Sequence, residues 1–131
     1  LEPVEVGGVS VGIVNCFELE FPEIARTLVL RGAEVLIVSS ANMHPYTTEH
    51  STAVRARAFE NRVPVAYANR VGEESGHRFC GLSALVDRDG RTLGQLNTTE
   101  TGAIDAVLTL GSAGNPDTDM LRHRRPELYA N

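Results

Sequence analysis

Cys16 stands where an apolar run breaks toward a helix, in Val9-Ser-Val-Gly-Ile-Val-Asn-Cys-Phe-Glu-Leu-Glu-Phe-Pro-Glu23. A thiol at a strand-to-helix turn is held at the rim of a sheet, beside backbone N–H groups outside any ladder. A thiolate nucleophile and a developing oxyanion need those two things, and the chemistry they support is acyl transfer through sulfur. The same residue has a plainer reading, a buried cysteine filling space at the end of a core strand. No spacing rule for one cysteine decides between the two. Pro22 opens the helix several residues after the thiol, so activation by that helix dipole is modest.

The other reactive side chains carry less. Cys80 reads as a strand cysteine, and His44, His50, His77 and His123 show no metal-ligand spacing and default to surface or loop positions. Arg57, Glu60 and Asn61 read as structural, an ion pair and a cap beneath the site. Glu18, Glu20 and Glu23 have a bland reading as solvated or helix-start charges. All 12 basic residues are arginine, so a mechanism that needs a lysine ammonium is not completed within this chain.

Alternating strands and helices must position these groups. Pro3 to Val6 and Val9 to Asn15 read as strands around a Gly7-Gly8 turn. Pro22 suits the first turn of a helix, and apolar positions 21, 24, 25, 28 and 29 give it one buried face up to Gly32. Glu34 to Val38 reads as a strand at the centre of a sheet or covered on both faces. Ser39 to Pro45 reads as a loop, Thr47 to Arg62 as a second helix, and Val63 to Asn69 as a strand. Gly72 to Gly76 is a polar turn before a strand over Phe79 to Val86. Asp87-Arg-Asp-Gly90 is a tight turn, Thr92 to Leu96 returns, and Ala103 to Leu108 is a last strand. The tail holds a short helical piece over Asp117 to Arg125. The early β-α-β-α-β order with later antiparallel strands predicts a mixed α/β layered fold.

At 131 residues with 42% apolar and 22% charged composition, the chain is long enough to bury one core. A net charge of −5 argues against a binder of nucleic acid or an anionic membrane, which would need a basic face. Apolar runs such as Val35-Leu-Ile-Val38 are far too short to span a bilayer. Two distant cysteines do not make a disulfide framework, and a cytoplasmic location is expected.

Gly12-Ile-Val-Asn-Cys-Phe-Glu-Leu-Glu-Phe-Pro-Glu23 resembles the nucleophile motif of the nitrilase superfamily, the carbon–nitrogen hydrolases. Ala41-Asn-Met43, Arg55-Ala-Arg-Ala-Phe-Glu-Asn61, Val65-Ala-Tyr-Ala-Asn-Arg-Val-Gly72, Phe79-Cys-Gly-Leu-Ser83 and Arg124-Arg-Pro-Glu-Leu-Tyr129 agree in order and spacing. The resemblance covers nearly the whole chain. It implies a partial copy of an α-β-β-α sandwich, with residues 1–131 the C-terminal part of one hydrolase domain. It also implies Cys16 as nucleophile, the Phe17 backbone N–H as an oxyanion donor and Glu18 as an orienting residue. Asn42, Met43 and Tyr46 become substrate contacts. The base Glu, a Lys and a second Glu are expected upstream of Leu1, so the fragment alone is expected to be inactive and poorly soluble. Phe17 where Tyr is usual, Glu18 where Asp is common, and the polar Asn15 depart from the pattern.

The resemblance implies hydrolysis of a small linear amide through a thioester, with no cofactor and no metal. The Ser40-Ala-Asn-Met-His-Pro-Tyr46 stretch is similar to amidase-like members. An N-carbamoyl hydrolase is the alternative, although no arginine follows Asn42 to read a carboxylate. A non-catalytic α/β module is another, and it requires Cys16 to be no more reactive than Cys80. The expected partners are the amide substrate and a second copy of the chain, in a homodimer or larger assembly that uses the helix after the cysteine and the tail at 113–131.

Overall fold

The computed structural model describes residues 1–111, 117 and 119–129. The chain opens with a hairpin of β1 (Val4–Val6) and β2 (Val9–Asn15), turned at Gly7 and Gly8. Both glycines have positive φ, as the tight hairpin turn requires. Helix α1 (Pro22–Leu30) then leads to β3 (Val35–Ser40), and α2 (Thr47–Asn61) leads to β4 (Val65–Asn69). β2, β3 and β4 pair in parallel, because each helix carries the chain back to the starting edge.

Period-two alternation sorts the strand residues. Val14, Leu36, Val38, Val65 and Tyr67 point into the core beneath Ala25, Leu28 and Val29 of α1 and Val54 and Ala58 of α2. Gly12 is needed there, since a Cβ on it would lie 2.7 Å from Leu36 Cδ2 and 3.3 Å from Leu28 Cβ. The alternate residues face away from the helices. Ile13 is 59% exposed and Ile37 44% exposed on that face, so β3 is the sheet's centre but is covered on one side within this chain.

After β4 the chain forms a two-stranded hairpin, β5 (Val71–Glu74) and β6 (His77–Cys80), where a polar turn was expected. Only Ser75 and Gly76, both at positive φ, make the turn itself. The strand expected over 79–86 is broken, and β7 (Ala84–Val86) begins after the break. Gly81 and Leu82 take positive φ there, and a Cβ on Gly81 would meet the Asn97 and Thr98 carbonyl oxygens at 2.8 Å. β7 pairs antiparallel with β4 and with β8 (Thr92–Gln95), completing the sheet order β1-β2-β3-β4-β7-β8.

The strand expected over Ala103 to Leu108 does not form. The segment runs irregularly past β8, with Ile104 packed into the space Gly94 leaves, and Val107 is 93% exposed. Its largely apolar residues find no strand partner among the described residues. In the tail, the helical piece expected over 117–125 is a turn around residues 120–123. There the Asp119 carboxylate accepts the Leu121 and Arg122 N–H groups. Pro126 starts the short α3 (Pro126–Tyr129) instead. The tail readings at 112–116, 118, 130 and 131 lie outside the described residues.

Candidate active site

The carboxyl ends of β2, β3 and β4 lie side by side, with Asn15 opposite Ser39 and Ser40 opposite Asn69. Open α/β sheets bind ligands at that edge. Cys16 follows directly on β2 and is half-buried, so its sulfur is neither sealed in hydrocarbon nor fully solvated. The turn is locked by a reciprocal pair of bonds. Asn15 N–H donates to Glu18 Oε2 at 2.9 Å, and Glu18 N–H donates to Asn15 Oδ1 at 3.1 Å. This is the geometry of a capping box. The two departures from the family pattern at 15 and 18 therefore complement each other. The Phe17 N–H has no acceptor among the described residues.

A 3₁₀ turn, Glu18–Glu20, joins the elbow to α1. Arg57 pins it from beneath, donating from Nε to the Leu19 carbonyl at 3.0 Å and from Nη2 to the Glu20 carbonyl at 2.9 Å. Its Nη1 pairs with Glu60 Oε1 at 3.1 Å, as the i, i+3 spacing led one to expect. Asn61 caps from its side-chain N–H₂ to the Arg57 carbonyl at 2.9 Å.

Ser40 Oγ donates to Cys16 Sγ at 3.2 Å and lies 3.1 Å from the Tyr67 hydroxyl. Tyr67 Oη in turn lies 3.2 Å from His50 Nδ1, and His50 Nε2 lies 3.3 Å from Glu20 Oε1. Burial raises the Tyr67 hydroxyl well above the ordinary value of 10.0, a rise the Ser40 bond partly opposes. His50 is 3% exposed, which corrects its assignment to a surface or loop. It occupies the inner face of α2 because Tyr67 and Glu20 satisfy both ring nitrogens.

Asn42 is buried, and its side-chain N–H₂ donates to the Tyr46 carbonyl at 3.0 Å and to Cys80 Sγ at 3.2 Å. Cys80 Sγ returns a bond to the Asn42 carbonyl at 3.3 Å. Asn42 thus braces the loop after β3, and Cys80 is its buried counterpart at the end of β6. Met43 is half-buried and bridges to Phe79, whereas Tyr46 presents its ring to solvent. A cavity of about 40 Å³ behind this loop is lined by Asn42, His50, Tyr67, Cys80 and Leu82. It has room for a few waters and none for a substrate, and Cys16 does not line it. Among the described residues no three His, Cys, Asp or Glu side chains converge to hold a metal ion.

Sequence reasoning located the elbow but not Ser40, Tyr67, His50 or Glu20 as its neighbours. One signal pointed to His50. Positions 50, 54, 57, 58 and 61 of α2 are all buried and recur at helical spacing. Three of those five are polar or charged, which hides the stripe from an apolar count.

The chain is thus a mixed α/β fold with a half-buried thiol at the carboxyl end of a parallel strand. The family model for carbon-nitrogen hydrolases matches residues 1–115, and the chain belongs to that family. It is 42% identical over 129 residues to a hydrolase from the pqqF 5′ region of Pseudomonas protegens, covering 96% of this chain and 45% of the relative. It is 41% identical over 120 residues to an (R)-stereoselective amidase of a Pseudomonas species, covering 90% and 44%. The solved amidase of Nesterenkonia sp. AN1 superposes with a TM-score of 0.77 at 33% identity, over 97% of this chain and 47% of that one. Variants of that amidase have been solved with acrylamide added to the active-site cysteine and in complex with butyramide. The chain spans about half the length of the curated relatives it matches.

Proposed function

We propose that the full-length protein hydrolyses the C–N bond of a small linear amide, with Cys16 as the nucleophile. The observation that carries this reading is the elbow itself. A half-exposed sulfur is bonded to Ser40, beside a Phe17 N–H with no acceptor among the described residues, at the carboxyl edge of parallel strands. The thiolate attacks the amide carbon, and the developing oxyanion takes the Phe17 N–H as a donor. Collapse of the tetrahedral species breaks the C–N bond, and the nitrogen takes up the proton the thiol had given up, leaving as ammonia or an amine. The acyl group remains on Cys16 as a thioester, and water then cleaves it to the carboxylic acid. Two moderate barriers replace one high one.

Glu18 holds the elbow through its exchange with Asn15, an orienting role. Met43 and Tyr46 are the substrate contacts, with Asn42 fixing the loop that carries them. The glutamate base and the lysine belong to the part of the protein that the resemblance places upstream. Amides are favoured over carbamoyl compounds because two of the closely similar proteins are amidases, one of them solved with butyramide.

A homo-oligomer is part of this reading. Phe21 at the start of α1, Leu30 at its end, and Leu128 and Tyr129 of α3 expose apolar side chains on the two elements expected to make contacts. A cytoplasmic location is part of the same reading, and two free cysteines are in keeping with it. No helix of the described residues is long and apolar enough to cross a membrane. The test is ammonia release from short aliphatic amides by the full-length protein. The wild type turns over and Cys16→Ala does not; equal turnover by both overturns the reading.

A further inference from the structure

The Ser40 hydroxyl at the end of β3 stands between two acceptors. Its Oγ lies 3.2 Å from Cys16 Sγ and 3.1 Å from the Tyr67 hydroxyl, and the Asn42 N–H donates to it at 3.2 Å. A serine hydroxyl has one hydrogen and two lone pairs, so it serves three neighbours only in fixed combinations. The residues behind Tyr67 decide which. His50 Nε2 lies 3.3 Å from Glu20 Oε1, and a carboxylate only accepts, so that nitrogen carries hydrogen. In the neutral ring Nδ1 is then an acceptor, and it takes the Tyr67 hydrogen across 3.2 Å. Tyr67 therefore offers Ser40 a lone pair and no hydrogen. Burial keeps it a neutral phenol, well above its ordinary value of 10.0.

The charge on sulfur then sets where the Ser40 hydrogen points. Beside a thiol, the S–H donates to Oγ, the Ser40 hydrogen goes to Tyr67, and every group has a partner. Beside an acylated sulfur the same orientation holds, because a neutral thioester sulfur is a weak acceptor. Beside a thiolate, a charged acceptor lies 3.2 Å away, and the hydrogen turns to it. The contact between Ser40 Oγ and Tyr67 Oη then has no hydrogen in it. A bond to a charged group outweighs one between neutral groups, so the turned state prevails.

We propose that the Ser40 hydroxyl is a rotating donor, held by Tyr67 while the sulfur is neutral and turned onto the sulfur whenever that is a thiolate. Both half-reactions pass through such a sulfur. It forms before the attack on the amide, and it is expelled when the second tetrahedral species collapses to the acid. A donor that engages only then favours those moments over the neutral thioester between them. The only motion is rotation about the Ser40 Cβ–Oγ bond. No O–H bond breaks, and the thiol proton goes to the glutamate that the resemblance places upstream. Ser40 touches the reacting sulfur, whereas Tyr67, His50 and Glu20 are positioning residues that act through it. This proposal rests on Cys16 being the nucleophile.

The test is run on the full-length protein, with peptide mapping to follow Cys16 separately from buried Cys80. Thermal melting confirms that each variant is folded. In Ser40→Ala the Asn42 N–H keeps the Asn69 side-chain carbonyl at 2.8 Å, so the loop retains a tether. The acyl group loaded on Cys16 from butyramide, chased by dilution, is expected to leave about tenfold more slowly in that variant, the scale of one hydrogen bond to a charged group. Alkylation of Cys16 by iodoacetamide is expected to slow about threefold, less because a thiolate without its donor is the stronger nucleophile. Ser40→Thr keeps the hydroxyl and is expected to stay within about twofold of wild type in both rates. Tyr67→Phe removes the acceptor that competes for the hydrogen, and alkylation is expected to rise about threefold. A packing role alone does not predict that rise. Wild-type rates in folded Ser40→Ala, or no rise in folded Tyr67→Phe, overturn the proposal. No acyl group on wild-type Cys16 from any short aliphatic amide strikes the hydrolase reading instead, and the alkylation rates still judge the hydroxyl, since they are measured at the sulfur without turnover.

Discussion

Arg57→Met probes how the elbow is held. The guanidinium is buried and spans two carbonyls of the 3₁₀ turn, Leu19 and Glu20, as well as the Glu60 carboxylate. Methionine keeps most of the side-chain volume, so the change removes donors and leaves little cavity. Leu19 is fully buried, and its carbonyl then lacks a partner, at a cost of about 1–3 kcal/mol. The Glu20 carbonyl lies nearer solvent and adds about 1 kcal/mol. The Glu60 pair is part-exposed and contributes less than about 1 kcal/mol. The expected loss is about 2–4 kcal/mol, which lowers the urea midpoint of the full-length protein by about 1–2 M at an ordinary slope. Far-UV circular dichroism through a urea series measures it, with Arg57→Lys as an intermediate case that retains charge but not the fork. Iodoacetamide alkylation of Cys16 in the same samples should slow, because the turn that carries Glu18 and Glu20 loosens. A midpoint within experimental error of wild type would refute the claim that Arg57 holds this turn.

Four further outcomes follow from the geometry. Glu18→Ala removes one half of the exchange with Asn15 and should cost about 1 kcal/mol, the scale of a lost cap; equilibrium denaturation checks this. Gly12→Ala places a methyl against Leu36 and Leu28 and should destabilise by about 1–3 kcal/mol through overpacking, read as a lowered urea midpoint. Tyr67 ionises less readily in the folded protein than in the unfolded chain, so folding binds its proton more tightly. Its stability contribution is complete below the ordinary value of 10.0 and is lost as pH rises above that toward the raised folded value. Denaturation curves at increasingly alkaline pH should therefore fall more steeply for wild type than for Tyr67→Phe. Finally, Ile37→Glu on the open face of the sheet should be nearly neutral in the isolated chain and strongly destabilising in the full-length protein, as paired melts of the two would reveal.

The sequence announced the elbow and its supports because punctuation residues stand at their ends. Gly7-Gly8, Pro22 and Gly32 bracket β2 and α1, and those elements form within a residue or two of where they were read. Asp87 to Gly90 turns as expected, with the Asp87 carboxylate accepting two backbone N–H groups. The break at Gly81 and Leu82 was invisible because it is enforced by a neighbouring segment, the carbonyls of Asn97 and Thr98, and not by local propensity. Ala103 to Leu108 shows the converse: an apolar run is not enough without a strand to pair with. The surroundings of Cys16 were illegible for a similar reason. Ser40, Tyr67 and His50 are ordinary residues of a strand end, a strand and a helix, and only the pairing of β3 with β4 and the packing of α2 on the sheet make them neighbours.

The central claim is that an acyl group is carried on Cys16 during turnover. The direct measurement is acid quenching of the full-length protein during steady-state hydrolysis of a short aliphatic amide, followed by peptide mass spectrometry. The expected result is the substrate's acyl mass on the Cys16 peptide, discharged by hydroxylamine and absent in Cys16→Ala. Steady turnover with no adduct on that peptide, or with the acyl group on Cys80, contradicts the account.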